Sequence, residues 1–166
     1  MQAWIGLGSN LGSPARQLEE AIGRIDALPE ISIGQRSGLY RTRPWGLQDQ
    51  PDFLNAVAQL ETTLGPQMLL RSLLDIETTL GRVRDGPRWG PRHLDLDLLS
   101  YEDVRLESAE LMLPHPHMHE RAFVLVPLLE LAPDFQIPGR GLASGFLAKL
   151  SPEERNSVLP FQPEQR

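Results

Sequence analysis

Residues Phe53–Gly81 read FLNAVAQLETTLGPQMLLRSLLDIETTLG, and the apolar period changes midway. From Phe53 to Thr63 the side chains alternate. Leu54, Ala56, Ala58 and Leu60 point one way and Phe53, Asn55 and Val57 the other, as on a strand. After Gly65-Pro66 the spacing turns helical, with Leu69, Leu73, Ile76 and Leu80 on one stripe and Leu70 and Leu74 beside it. Proline suits the first helical position, and Gly81 suits the position after the last. A strand leading into an amphipathic helix is half of a split βαβ unit, so the other half is sought on either side.

Upstream, Ala3–Leu7 is a short apolar run ending at Gly8, a candidate buried strand. Ser13-Pro14 reads as an N-cap with proline at the first helical position. Leu18, Ala21, Ile22, Ile25 and Leu28 follow at helical spacing until Pro29. Residues 31–42 read as a strand broken by glycines, and residues 43–52, RPWGLQDQPD, as a loop. Downstream come an arginine-rich loop, a strand over 94–101 and a hairpin or edge ribbon over 104–113. A helical stretch over roughly 118–132 is interrupted at Pro127, and an irregular tail runs over about 151–166. This order predicts an α+β, ferredoxin-like split βαβ fold. Its antiparallel sheet has helices packed on one face, with C-terminal additions, in a single domain over 1–166.

The 166 residues are 40% hydrophobic and 23% charged, ordinary for a globular chain with a real core. No cysteine is present, which excludes a disulfide framework and thiolate metal sites. The sequence has no run of eighteen apolar residues, and its start lacks a basic-then-apolar leader, so a cytoplasmic protein is expected. A net charge of -6 argues against general attraction to nucleic acid or an anionic membrane.

Locally the charge inverts. Residues 81–92, GRVRDGPRWGPR, set Arg82, Arg84, Arg88 and Arg92 against Asp85 alone, while Lys149 is the only lysine of the chain. Arginine is suited to bidentate capture of phosphate, although arginine excess also follows from genomic base composition. Directly after it, Asp95 and Asp97 occupy alternate strand positions and share a face, with Leu94, Leu96 and Leu98 turned to the core. Two such acids are either a solvated strand face or a seat for a hard cation such as Mg²⁺. With arginines beside them, the pattern suits a Mg-nucleotide. No glycine-rich phosphate loop with its lysine occurs.

Other candidates stay open on spacing alone. Glu77, near a helix C-terminus, needs a cationic or hydrogen-bonding partner, either Arg82 or Arg84 or a ligand. Phe53 and Asn55 share a strand face, and Phe123 follows Arg121. These rings are core residues or a stack for a planar heterocycle whose edge an amide reads. Trp89, flanked by glycine and proline in a polar loop, fits ligand stacking or an interface better than core. In His115-Pro116-His117-Met118-His119, His115 either binds phosphate, ligates a metal or is solvated, and nothing acidic at obvious ligand spacing joins it.

The stretch RWGPRHLDLDLL over Arg88–Leu99 resembles, throughout its length, the signature of the 6-hydroxymethyl-7,8-dihydropterin pyrophosphokinases of folate biosynthesis. Gly8-Ser9-Asn10-Leu11, Tyr40-Arg41-Thr42, Gln48 to Pro51 with Asn55, Gly81-Arg82-Val83-Arg84, and Pro114-His115 through Arg121-Ala122-Phe123 are similar too. The resemblance runs over about residues 3 to 135. It implies transfer of a diphosphate from ATP to the pterin hydroxymethyl oxygen, leaving AMP. By the same resemblance Asp95 and Asp97 hold two Mg²⁺ ions, and Arg82 and Arg92 steady the transferring group with help from Arg84. ATP would meet Glu77, Arg84, Trp89, Arg92, Leu98, His115 and Arg121. Thr42, Phe53, Asn55, Trp89 and Phe123 would form the pterin pocket. Loops 43–52 and 82–92 correspond to segments that close over substrates in this family. The expected partners are ATP and a reduced pterin on a monomeric chain, with no nucleic acid and no membrane.

The chain departs from the commonest family pattern at Arg43, Trp45, Phe53, Glu110 and Pro116, which leaves loop behaviour and the adenine and ribose contacts open. Two other readings compete. A nucleotidyltransferase with the same alternate aspartates would release diphosphate instead of AMP. A silent binding domain on the same scaffold would consume neither ligand.

Overall fold

β1 (Gln2–Ser9) lies between two antiparallel partners, β4 (Phe53–Thr62) on one side and β5 (Asp95–Tyr101) on the other. A computed structural model describes residues 1–43, 51–80 and 94–162. Along the far edge of β4 lie β2 (Ile31–Arg36) and β3 (Leu39–Thr42), end to end. The expected broken strand is therefore two short strands on one partner. At the break the Ser37 N–H donates to the Val57 carbonyl at 2.8 Å, and the Ser37 hydroxyl accepts from the Val57 N–H at 2.9 Å. Pairing thus continues across a gap in regular strand geometry. The crossovers are α1 (Pro14–Asp26), between β1 and β2, and α2 (Pro66–Thr79), between β4 and β5. This is the split βαβ arrangement that the period change at Gly65-Pro66 predicts.

Burial follows the sequence alternation. Ala3, Ile5 and Leu7 of β1, Leu54, Ala56, Ala58 and Leu60 of β4, and Leu96 and Leu98 of β5 face one core. Leu18, Ala21, Ile22 and Ile25 of α1 and Leu69, Leu73 and Ile76 of α2 close it. A fully buried leucine or isoleucine contributes roughly 1.5–3 kcal/mol relative to exposure, so this layer dominates the driving force.

Helices cover the opposite face as well, contrary to the one-faced expectation. Trp4, Val57 and Leu99 point that way and pack on Val124, Leu125 and Leu128 of α3 (Ala122–Leu131) and Ala143 of α4 (Ala143–Lys149). Leu99 is an extra residue in β5. Trp4 pairs with Ser100 and Ile5 with Leu98, so Leu99 has no partner in β1 and the strand bulges. Apolar residues at the alternate positions would be stranded in water without this second layer.

Two further expectations are corrected. Pro127 does not interrupt its helix, because α3 runs through it with Pro127 buried. Proline removes the bond to the carbonyl four residues back and crowds that carbonyl, and burial of the surrounding leucines and valine offsets the cost. Nor is the tail irregular over 151–162. It forms α5 (Pro152–Asn156), where the Ser151 hydroxyl accepts from the Glu154 N–H, and β10 (Leu159–Phe161), which pairs with β3. The remaining short elements are a ribbon of β6 (Leu106–Glu107) with β7 (Met112–Leu113), a 3-10 turn over Met118–Glu120, and a ribbon of β8 (Gln136–Ile137) with β9 (Gly141–Leu142).

Candidate functional site

The face of the sheet beyond the N-terminal end of α3 is floored by glycine. Gly8 pairs with Asn55 on one side and Asp95 on the other, and Gly6 pairs with Val57 and Asp97. Side chains two apart share a face, so Gly6 and Gly8 leave a trough between the amide of Asn55 and the acid pair. Strands about 4.8 Å apart put Asn55 and Asp95 roughly 10 Å from each other across it. A Cβ on Gly8 would come 2.9 Å from Asn55 Oδ1, so the amide lies over bare backbone.

Asn55 is buried and its Nδ2 donates to the Thr42 hydroxyl at 2.6 Å. That bond aims the amide, because Thr42 stands opposite Phe53 in the adjacent strand. The ring of Phe53 is half-buried on the same side. Asn10 Nδ2 donates to the Pro51 carbonyl at 2.9 Å, tying the turn after β1 to the chain entering β4.

Asp95 and Asp97 are half-buried while Leu94, Leu96 and Leu98 are buried, so the acids share one face as expected. Arg121, just before α3, brings Nη1 to 3.9 Å from Asp97 Oδ2 and places its guanidinium 5.6 Å from the Phe123 ring centre. One cation thus links the acid-bearing strand to the aromatic first turn of α3.

Around the outer edge of β5 lies a cleft of about 270 Å³, lined by Leu70, Leu74, Glu77, Leu96, Asp97, Leu98, Glu110, Leu111, His115 and Pro116 among others. Glu77 is fully buried, and its Oε1 accepts the Leu96 N–H at 2.8 Å. Its partner is therefore strand backbone as well as anything contributed by Arg82 or Arg84, which lie outside the described residues. Since Leu96 turns its N–H to this edge, antiparallel alternation turns the N–H and C=O of Leu98 there too. The edge offers a donor and an acceptor beside apolar walls, the means of holding a flat heterocycle.

His115 stands at the acid end of the cleft. Its Nδ1 accepts from the His117 N–H at 3.1 Å, so the neutral ring carries its proton on Nε2. Burial, then the Arg121 guanidinium, pushes the imidazole down to about 4, which keeps it neutral at ordinary pH. The other two histidines of the 115–119 run face Glu120. His117 Nδ1 sits 3.2 Å and His119 Nε2 3.4 Å from the Glu120 carboxylate, and His119 stacks edge-on to Phe146. Among the described residues no three His, Cys, Asp or Glu side chains are grouped to hold a metal ion.

The structure thus brings Thr42, Phe53, Asn55, Asp95, Asp97, Arg121 and Phe123 to one side of the sheet, and Glu77, Leu98 and His115 to the adjoining cleft. Asp97 belongs to both. Arg82, Arg84, Trp89 and Arg92 lie outside the described residues, as does Trp45. Sequence reasoning assigned no role to Gly6, Gly8 or Asn10. The Gly8-Ser9-Asn10 match was the available signal for the last two, whereas cross-strand register alone reveals Gly6.

The fold is shared with solved structures of HPPK-DHPS. One from Plasmodium falciparum superposes with a TM-score of 0.70 at 13% identity, over 95% of this chain and 46% of that longer one. Another HPPK-DHPS, in complex with substrates, gives a TM-score of 0.67 at 12% identity, over 87% of this chain and 42% of that one. The architecture is therefore the α+β fold that those chains contain. Residues 4–133 match the model of the 7,8-dihydro-6-hydroxymethylpterin-pyrophosphokinase (HPPK) family, and the chain belongs to that family. A 2-amino-4-hydroxy-6-hydroxymethyldihydropteridine pyrophosphokinase of Methylorubrum extorquens is 49% identical over 91% of this chain and 94% of its own. One of Pseudomonas aeruginosa is 48% identical over 85% and 87%. The chain is an enzyme of this family, in folate biosynthesis. No helix among the described residues is long and apolar enough to cross a membrane.

Proposed function

We propose that the chain transfers the terminal diphosphate of ATP to the hydroxymethyl oxygen of 6-hydroxymethyl-7,8-dihydropterin, releasing AMP, with Mg²⁺ held at Asp95 and Asp97. The observation that carries this reading is the glycine trough. It separates an amide and hydroxyl suited to a pterin edge, Asn55 and Thr42, from two acids suited to a metal–phosphate, Asp95 and Asp97.

The acids fit magnesium. They share one face, and the Asp97 side chain is 34% exposed, which leaves access for the water and phosphate oxygens that Mg²⁺ retains. Bound there, two such ions would neutralise phosphate oxygens and make the β-phosphorus easier to attack. The protein's own work is positioning. Asn55 and Thr42 read the edge of the pterin, with Phe53, Phe123 and Trp89 against its faces. Leu98 presents its backbone to the adenine, and Glu77 holds that edge in place. His115 donates from Nε2 to a phosphate oxygen while Arg121 bridges the two substrates. Arg82 and Arg92 steady the transferring group, with Arg84 assisting. In the transfer the hydroxymethyl oxygen bonds to the β-phosphorus and gives up its proton to water, while the bond from that phosphorus to the oxygen it shares with the α-phosphate breaks and the oxygen leaves with AMP, so no serine or cysteine nucleophile is required. The chain acts as a cytoplasmic monomer.

Chromatography of the products tests this. AMP and pterin diphosphate should form together, each requiring the pterin. Release of free diphosphate instead would favour a nucleotidyltransferase, and intact ATP would favour a binding domain.

A further inference from the structure

Glu130, in the last turn of α3, accepts hydrogen bonds from the Tyr40 hydroxyl and, at 3.3 Å, from the Gly38 N–H. Both donors belong to the chain entering and forming β3. Tyr40 is the cross-strand neighbour of Asn55, and Thr42, two residues on, receives the Asn55 amide at 2.6 Å. Glu130 and Phe123 are seven residues apart, so at about 100° per residue they share one side of α3, roughly 10 Å apart. The helix is thus pinned to β3 at one end of the side that presents Phe123 at the other.

We infer that Glu130 and Tyr40 form a positioning pair that fixes the spacing between α3 and the β3–β4 floor, and with it the width of the slot that takes the pterin ring. The inference rests on the pyrophosphokinase reading given above. Acceptor bonds to two separate points, the Gly38 N–H just before β3 and the Tyr40 hydroxyl within it, restrain rotation of the helix as well as distance, which a single contact does not. Burial, then the Glu130 hydrogen bond and charge, pushes the Tyr40 phenol up to about 12, so it remains a donor throughout the working pH range. A flat ring between two aromatic faces tolerates little change in separation, and a displacement of about 1 Å can cost around a hundredfold in rate.

The experiment compares Tyr40→Phe, Glu130→Ala, Glu130→Gln and the Tyr40→Phe/Glu130→Ala double variant. KM for the hydroxymethylpterin and for ATP is read separately, with Tm beside them. Tyr40→Phe and Glu130→Ala should each raise the pterin KM about fivefold to twentyfold, while the ATP KM stays within about twofold. The double variant should be no worse than the more severe single, because the pair acts as one unit. Glu130→Gln keeps an oxygen for the phenol and should return the pterin KM to within about twofold of wild type. A lower Tm with both KM values unchanged, or with both raised equally, overturns the inference. If wild type makes no AMP the reaction reading fails, and fluorescence titration of the pterin still decides: an affinity unaltered by Tyr40→Phe overturns the pair.

Discussion

Asn55 and Asp95 are the two cross-strand neighbours of Gly8, and the Asn55 amide lies so close above that glycine that a Cβ there would stand 2.9 Å from its Oδ1. Gly8→Ala must therefore displace a buried amide bonded to Thr42 at 2.6 Å. Pterin affinity should fall at least about tenfold, with about 1–3 kcal/mol lost from stability, the usual range for overpacking. ATP affinity should hold. Fluorescence titration with the pterin and urea denaturation measure the two effects, and unchanged pterin affinity would remove the trough from the site.

Glu77 serves the fold and the cleft together. Its buried carboxylate accepts the Leu96 N–H at 2.8 Å. Glu77→Ala orphans that donor and should cost about 2–3 kcal/mol by urea denaturation. Glu77→Gln retains an acceptor of the same length and should lose less than half as much. Equal losses would mean that the charge, not the strand contact, is what the fold uses.

His115 makes stability depend on acid. Its imidazole, normally near 6.5, is pushed down to about 4 by burial and then by Arg121. The unfolded chain binds a proton near 6.5 and the folded chain only near 4, so this contribution is complete above 6.5. It declines as pH falls through that window, by at most about 3 kcal/mol. Denaturation midpoints between pH 4 and 7 should show the slope, and His115→Gln should flatten it. A mutant as acid-sensitive as wild type would assign the titration elsewhere.

Arg121 has a separable role. It stands 3.9 Å from Asp97 and 5.6 Å from the Phe123 ring centre, with a side chain only 12% exposed. Arg121→Ala should raise KM for both substrates by about tenfold, since one cation faces each half of the site. Arg121→Lys should recover little, because a point charge lacks the planar fork. Steady-state kinetics with each substrate varied in turn reads both, and an effect confined to ATP would show that the contact with Phe123 is incidental.

Where sequence and structure part company, the reason is tertiary. Alternation along Phe53–Leu60 and the leucine stripe of Leu69–Leu80 revealed two strand faces and a crossover helix, because one period governs each element. The second core was not legible. Trp4 and Val57 are single apolar residues between others, and only the later segment of chain, α3 with α4 and Phe135, makes their side of the sheet an interior. The bulge at Leu99 has no local signature, and β10 is three residues including Pro160, held by pairing with β3 rather than by propensity. Among the candidate residues, the spacing of two puts Asp95 and Asp97 on one face, and the arginines beside them make that face a candidate metal seat. Register across β1, which no local pattern encodes, sets Asn55 opposite them. Tyr40 belonged to a matched motif without a role, and Glu130 gave no signal at all, since its partner lies ninety residues away in sequence.

The most direct test is single-turnover AMP formation from ATP and the hydroxymethyldihydropterin across a magnesium titration, for wild type, Asp95→Asn and Asp97→Asn. Wild type should form AMP only with the pterin present and only as magnesium is added. Each variant should keep its circular dichroism spectrum while the rate falls by more than about 10³-fold at saturating metal. Wild-type rates in both variants, or undiminished turnover in a metal chelator, would contradict the account.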